Sequence, residues 1–185
     1  MLFAELFRRQ DPAEDAALLL YATLVDKARD PVFYSRLAVP DTVNGRFDML
    51  VIHAMLVLRR LRGAGEAADA FGKALLELLF RDMDQSLREM GVGDMGIARH
   101  IKKMAKALFG RAEAYEAGLA GNVTLLIEAL KENVYRRAEG EQHLSQMADY
   151  LARAASHVGT QDVGDIVAGK INLSVPALSE VAHAG

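Results

Sequence analysis

The sequence predicts an all-α fold, a single-domain bundle of about six to eight helices. Apolar residues recur at three- and four-residue steps along most of the chain, and no alternating strand pattern is present. With 185 residues the chain can bury one sizeable core, and no run of proline, serine or like charge divides it. We therefore expect a helical domain over 11–158, an N-terminal amphipathic segment over 1–10, and an irregular or mobile tail over 159–185.

The N-terminal segment carries a compact amphipathic pattern. Four apolar residues would share one side of a short helix beside two arginines: Leu2, Phe3, Leu6, Phe7, Arg8 and Arg9. Such a segment either packs onto the protein's own core or contacts a membrane surface, and both interpretations stay open. Because its charges follow the apolar patch and no small-residue cleavage site comes next, we expect no export signal.

Two helices are predicted after this segment. Residues 11–14, DPAE, supply a cap, a first-turn proline and a capping-box acid, which together favour a helix start. That helix should run to about Ala28. Pro31 then opens a short aromatic helix, which should end before Pro40 because the residue preceding a proline disfavours helical geometry.

The helix predicted over 43–61 is apolar almost all the way round, so we expect it to be the central one. Asp41 or Thr42 would cap it. Three polar residues interrupt this apolar sequence and share one face of the helix, because they repeat every seven residues: Arg46, His53 and Arg60. The line that they form is a solvent edge, a polar seam, or a shared site for an anion or partner carboxylate. For His53 a hydrogen-bonded structural role is favoured over metal ligation, because no second ligand lies at helical spacing.

A long helical hairpin is predicted over 66–117. The first helix should stop at Gly91, a residue that tolerates the left-handed C-terminal position, and Asp94 is suited to cap the second helix. Between Met95 and Arg111 there are five Lys or Arg and no acid. Four of these residues fall in a narrow arc opposite the apolar stripe and form a basic, exposed face: Arg99, Lys102, Lys103 and Lys106. This face is ordinary solvated surface, or a contact for lipid or RNA phosphate or an acidic partner.

Charged residues of the hairpin also project toward its apolar side. Asp82 and Glu89 lie on that side of the first helix, and Arg111 lies on that side of the second. A carboxylate near apolar surface needs a partner, so we predict a semi-buried lock from Asp82 and Glu89 to Arg111 that fixes the hairpin angle. Asp84 and Arg88 should instead form an outward i,i+4 pair.

Beyond the hairpin, helices are predicted over 123–135 and 141–157. The stretch after them is rich in glycine and low in charge, which is why we expect an irregular tail. Glu180 and His183 form the only E-x-x-H, whereas a ferritin-like di-iron site needs two such pairs.

Composition and motif spacing exclude several classes of site. A net charge of -3 disfavours general nucleic-acid binding, and the absence of cysteine excludes disulfides and thiolate metal sites. The G-x-G-x-x-G over 91–96 follows a helix instead of a strand, so it does not indicate a dinucleotide site. Asp82 and Asp84, two apart on a helix, point to nearly opposite sides and should not chelate one ion. We expect no metal, no cofactor, no direct haem binding and no DNA partner.

An ordered set of unusual motifs resembles the ubiquinol-cytochrome c chaperone family over about residues 15–160. The motifs are 31–34 (PVFY), 39–42 (VPDT), 45–47 (GRF) with His53, 80–84 (FRDMD), 87–94 (LREMGVGD) and 109–111 (FGR). The resemblance implies an all-helical, non-enzymatic assembly factor that helps newly made cytochrome b enter respiratory complex III. It also implies a compact bacterial form that works in the cytoplasm at the inner-membrane face. A ribosome contact is left open, because the resemblance carries it to no residue here.

These expectations lead to one functional hypothesis with two parts. The basic face would hold the protein at anionic lipid or at acidic partner loops. An apolar groove edged by Tyr34, Phe47 and His53, beside the polar seam of Arg46 and Arg60, would shield hydrophobic segments of the client.

Two alternatives come from other functional classes. One is a helical enzyme acting on a prenyl or lipid-like substrate through a metal held by Asp82, Asp84 and Asp94. The other is an RNA-binding module, which the net charge and the lack of aromatic residues among the basic ones disfavour.

Overall fold

The computed structural model describes residues 12–89, 91–136 and 141–175, and regular structure in these ranges is entirely helical, as predicted. The helices in chain order are α1 (Pro12–Ala28), α2 (Pro31–Ser35), α3 (Val43–Leu61), α4 (Glu66–Glu89), α5 (Asp94–Leu119), α6 (Val123–Leu130), a π-helical turn (Lys131–Tyr135), α7 (Glu141–Gly159) and α8 (Val163–Val167). The amphipathic segment over 1–10 lies outside the described residues.

Helix α3 has the predicted bounds and lies at the centre, packed against α1, α4 and α7. Its start is set by Thr42, whose side-chain oxygen accepts the Gly45 N–H at 3.1 Å. Most of its side chains are buried on several sides, including Met49, Val57 and the histidine His53. The near-continuous apolar sequence of α3 is therefore explained by its central position.

The hairpin of α4 and α5 turns at Gly91, which has a φ of +80°. The Val92 N–H donates to the Leu87 carbonyl at 3.1 Å and the Gly91 N–H to the Arg88 carbonyl at 2.9 Å, the pattern of a glycine-terminated helix. The predicted cap of α5 is wrong. The N-cap is Gly93, and Asp94 is the first helical residue. At this position its negative charge interacts favourably with the positive end of the helix dipole.

Helices α5 and α6 approach each other closely at Gly118, which yields a testable expectation. A Cβ atom at this position would lie 2.6 Å from the Leu126 Cβ and 2.7 Å from the Leu126 Cα. We expect Gly118→Ala to lower the free energy of unfolding by about 1–3 kcal/mol, because the backbone of α6 must move. Gly110→Ala on the same helix meets no atom within 4 Å and should raise that free energy, by up to about 1 kcal/mol. Urea denaturation of both variants measures the contrast, and equal midpoints would contradict it.

The C-terminal part departs from the sequence prediction in two places. The helix expected over 123–135 changes to π-helical geometry at Lys131 and ends at Arg136, which has a φ of +51°. The tail expected to be irregular contains α8, whose Ile166 is fully buried in the main core. The prediction of an irregular tail is therefore wrong for Val163–Val167, while residues 176–185 lie outside the described part of the chain.

Candidate functional site

A groove opens on the surface between α3, α4 and α5. It has a volume of about 350 Å³. Its apolar lining residues are Met55, Leu58, Leu61, Ala68, Leu76, Leu108, Phe109 and Ala112. The aromatic side chain of Phe109 is 57% exposed, so part of the apolar lining faces solvent. A concave apolar surface of this volume suits one large side chain or a short peptide segment.

Charged side chains surround this groove. Arg59, Arg62 and Lys73 line it together with Asp69 and Glu116. The Arg59 Nε donates to the Glu116 carboxylate at 3.1 Å, which joins α3 to α5 across one side. An apolar floor with a mixed charged rim is the arrangement of many protein-binding surfaces. The groove was missed from the sequence because its residues come from three helices, although Phe109 lies just off the predicted apolar stripe of α5.

The groove predicted from Tyr34, Phe47 and His53 is wrong. His53 is fully buried, because α7 covers that side of α3 and the Tyr150 hydroxyl lies 2.7 Å from the His53 Nε2. The Tyr34 hydroxyl donates to the Ala28 carbonyl, and Phe47 packs partly buried against the core. These side chains stabilise the body of the protein, and the histidine among them is buried.

The line of Arg46, His53 and Arg60 is not a shared anion site. Arg46 pairs with Asp41 at 2.7 Å, and the Arg60 Nε donates to the Gln161 carbonyl at 3.0 Å. Between them, the His53 Nδ1 lies 2.7 Å from the Met49 carbonyl oxygen, which confirms the predicted structural role of the histidine. Burial lowers the pKa of His53 to about 4. The three side chains thus serve three separate contacts.

The predicted lock of Asp82 and Glu89 with Arg111 is also wrong. Asp82 accepts the Tyr21 hydroxyl at 2.7 Å, and Glu89 accepts the Gln85 side-chain amide at 2.8 Å. Helical projection of the hairpin placed all three charges toward apolar surface. It could not show that the Arg111 side of α5 faces α3 instead of the acids of α4.

Arg111 pairs with Asp48, which was not among the predicted site residues. The Arg111 Nη1 lies 2.5 Å from one Asp48 oxygen, and the Arg136 Nη2 lies 2.7 Å from the other. The Asp48 side chain is 2% exposed, and its burial raises the carboxyl pKa while the two guanidinium groups oppose that rise. A signal was available, because Asp48 is the only acid in the helix over 43–61.

The basic face of α5 is exposed as predicted at Arg99, Lys102 and Lys106, while the side chain of Lys103 lies outside the described structure. Met95, at the start of the same helix, is 89% exposed. What this face binds remains a prediction.

The three aspartates of the alternative metal site do not converge. Asp84 and Asp94 both accept hydrogen bonds from Arg88 at 2.7 Å, and Asp82 points to Tyr21 instead. The outward pair of Asp84 and Arg88 is confirmed. A guanidinium therefore lies where this alternative needs a cation, and the described residues contain no group of three metal-ligating side chains. In the same part of the chain, no helix combines the length and apolar character needed to cross a membrane.

Comparison with known proteins supports the family that the motifs suggested. Ubiquinol-cytochrome-c reductase complex assembly factor 1 of Xenopus laevis is 21% identical over 153 residues, covering 82% of this chain and 76% of that protein. The Homo sapiens protein of that name is 23% identical over 153 residues, covering 82% of this chain but 51% of its own length. The chain thus spans about half the length of the human relative.

A solved structure and a family profile cover most of the chain. The crystal structure of the Cbp3 homolog from Brucella abortus superposes with a TM-score of 0.80 at 34% identity, over 91% of this chain and 94% of that one. The profile of the ubiquinol-cytochrome C chaperones matches residues 35–173. The chain belongs to the ubiquinol-cytochrome c chaperone family.

Proposed function

We propose that the protein is a non-enzymatic assembly factor for the ubiquinol-cytochrome c reductase complex and that it binds newly made cytochrome b. Two relatives are named as assembly factors of this complex, and the family is described as a chaperone family. The work takes place in the cytoplasm, at the periphery of the inner membrane. No ribosome contact is part of the proposal.

The groove between α3, α4 and α5 is the observation that carries this proposal. A newly made membrane protein exposes apolar segments with polar flanks before it is assembled. The apolar lining of the groove, from Leu58 to Phe109, can cover such a side chain, and Arg62 and Lys73 at its rim can contact the polar flank. A small groove with charged edges covers part of the client reversibly, as a chaperone must.

The arrangement of the acidic and basic residues also favours binding over catalysis. The buried carboxylate Asp48 is paired with two arginines, and the buried His53 is held by Met49 and Tyr150. Both groups lie away from the groove lining and act between helices. The polar residues that do line the groove include the Arg59–Glu116 pair, which a chaperone surface can use to orient a partner.

The proposal is tested by filling the groove. We expect Ala112→Phe to reduce the cytochrome b recovered by affinity purification from native membranes by about tenfold or more. Excluding one apolar side chain of the client from the groove removes roughly 1.5–3 kcal/mol of binding free energy, which corresponds to at least a tenfold loss of affinity. Ala117→Phe is the matched control, because Ala117 is exposed on the same helix and does not line the groove.

A second variant keeps this test independent of folding defects. Leu76→Gln places a polar amide on the opposite wall, which belongs to α4. It should reduce recovery in the same direction while circular dichroism shows an unchanged helix content. If either folded groove variant recovers as much cytochrome b as the Ala117→Phe control, the groove is not the client site. If the unaltered protein recovers none, the proposed function itself is wrong.

A further inference from the structure

Five exposed residues form a single row along α5, which we call the α5 row. They follow one another at steps of four, three, four and three residues, so they share one side of the helix: Met95, Arg99, Lys102, Lys106 and Phe109. At 1.5 Å per residue the row is about 21 Å long. Its ends are apolar and its middle is cationic, and Phe109 at one end also lines the groove between α3, α4 and α5. Met95 is 89% exposed and Phe109 is 57% exposed.

The cations of the α5 row differ from the arginines beside them. Arg88, before the row, pairs with Asp84 and Asp94, and Arg111, after it, pairs with Asp48. Within the described residues, Arg99, Lys102 and Lys106 have no carboxylate within ion-pair distance. The sequence between Met95 and Arg111 contains no acid that could neutralise them locally. The row therefore presents uncompensated positive charge to solvent.

The α5 row begins at the end of the hairpin that the main core holds least. Leu87 and Ile97, on the two sides of the Gly91 turn, are buried but do not belong to the main core cluster. Leu108 and Tyr115, further along α5, do belong to it. Ile101 and Met104, between Ile97 and Leu108, pack partly buried against the main core. The row therefore runs from the separately packed turn onto the body, and its side chains are exposed along the whole length.

We propose that the α5 row docks the protein on an anionic lipid surface. Headgroup phosphates would contact Arg99, Lys102 and Lys106, while Met95 and Phe109 enter the interface on either side of them. A plane meets all five side chains of a straight row at once, whereas a folded protein partner would need a matching trough about 21 Å long. This inference rests on the proposed function in one respect, because it names the element that holds the chaperone at the membrane periphery.

Vesicle co-sedimentation of the full chain tests this docking without cytochrome b. At about 100 mM KCl, where the Debye length is about 10 Å, we expect binding to vesicles of equal parts phosphatidylglycerol and phosphatidylcholine and none to phosphatidylcholine alone. Changing Arg99, Lys102 and Lys106 together to Gln should weaken binding by on the order of 100-fold, since each charge contributes about fivefold. The matched control changes Arg29, Arg36 and Lys131 to Gln. These are also exposed, and the control should bind within about twofold of the unaltered chain.

The apolar ends of the α5 row need a separate variant. Met95→Gln with Phe109→Gln keeps every charge and should still weaken vesicle binding by about tenfold, because two apolar side chains no longer enter the interface. Unchanged binding by this double variant would overturn the insertion of Met95 and Phe109. Release of the protein by inorganic phosphate, at an ionic strength matched with KCl, would overturn the lipid assignment in favour of a free-anion site.

Failure of this inference is distinguishable from failure of the proposed function. Ala112→Phe, which fills the client groove, should bind anionic vesicles as the unaltered chain does. If the unaltered chain does not sediment with anionic vesicles, lipid docking is wrong whatever the cytochrome b result. If it instead retains purified cytochrome b through Arg99, Lys102 and Lys106, the row is an acidic-protein contact and the lipid proposal is overturned.

Discussion

Replacing Asp48 with alanine should lower the free energy of unfolding by about 3–5 kcal/mol, the cost of leaving a buried charge without its partner. The Asp48 carboxylate is 2% exposed and binds Arg111 from α5 and Arg136 from the end of the π-helical turn. Without it, the Arg111 guanidinium, whose side chain is 17% exposed, keeps its charge in a poorly solvated position. The effect should exceed that of any exposed ion pair in the protein.

Urea denaturation monitored by circular dichroism measures this loss. For a chain of this length, a loss of this size also lowers the thermal midpoint by roughly 10 °C. Asp84→Ala is the control, because Asp84 pairs with Arg88 near the surface and its removal should cost at most about 1 kcal/mol. If the two alanine variants prove equally stable, Asp48 is not the link between α3 and α5 that the structure indicates.

A double variant separates stranded charge from lost volume. Asp48→Leu with Arg111→Met removes both charges of the more buried pair and should recover most of the stability lost in Asp48→Ala, since apolar replacements for a buried ion pair are often neutral or stabilising. Arg136 is 43% exposed and can keep its charge hydrated. A double variant as unstable as Asp48→Ala would show that packing, and not the unpaired charge, causes the loss.

The helices could be predicted because their signals are local. Thr42 and the apolar run after it set the start of α3, and Gly91 sets the end of α4, within a few residues of sequence. The exposure of Arg99 and Lys102 followed from helical periodicity alone. The prediction of Asp94 as a cap missed by one position, since either Gly93 or Asp94 could take the extended geometry before α5.

The side-chain partners could not be predicted because they depend on how helices pack. The candidate partners of Arg111 were the acids of the neighbouring helix α4, Asp82 and Glu89, and the more distant Asp48, 63 positions earlier in the chain. Only the way α5 packs against α3 decides between them. The groove between α3, α4 and α5 has the same origin, since Leu58, Leu76 and Phe109 lie on three helices. The buried position of His53 depends on α7, which supplies Tyr150 from 97 residues away.

Lowering the pH from 6.5 to 4 should destabilise the protein through His53 by about 3 kcal/mol. The Met49 carbonyl oxygen can only accept, so the His53 Nδ1 carries the proton and the Nε2 accepts the Tyr150 hydroxyl proton. Burial keeps this ring neutral and lowers its pKa from 6.5 to about 4. In that interval the unfolded chain binds a proton that the folded chain does not, so stability falls as the pH falls.

The contribution of His53 is isolated by comparing pH profiles. His53→Gln keeps a group that can accept from Tyr150 but cannot titrate, so the change in its free energy of unfolding between pH 6.5 and pH 4 should be smaller by about 3 kcal/mol. The two charged groups near the ring, Lys27 and Asp30, are present in both proteins. A His53→Gln profile parallel to that of the unaltered protein would mean that the ring already accepts a proton in the folded state, and thus that burial does not hold it neutral.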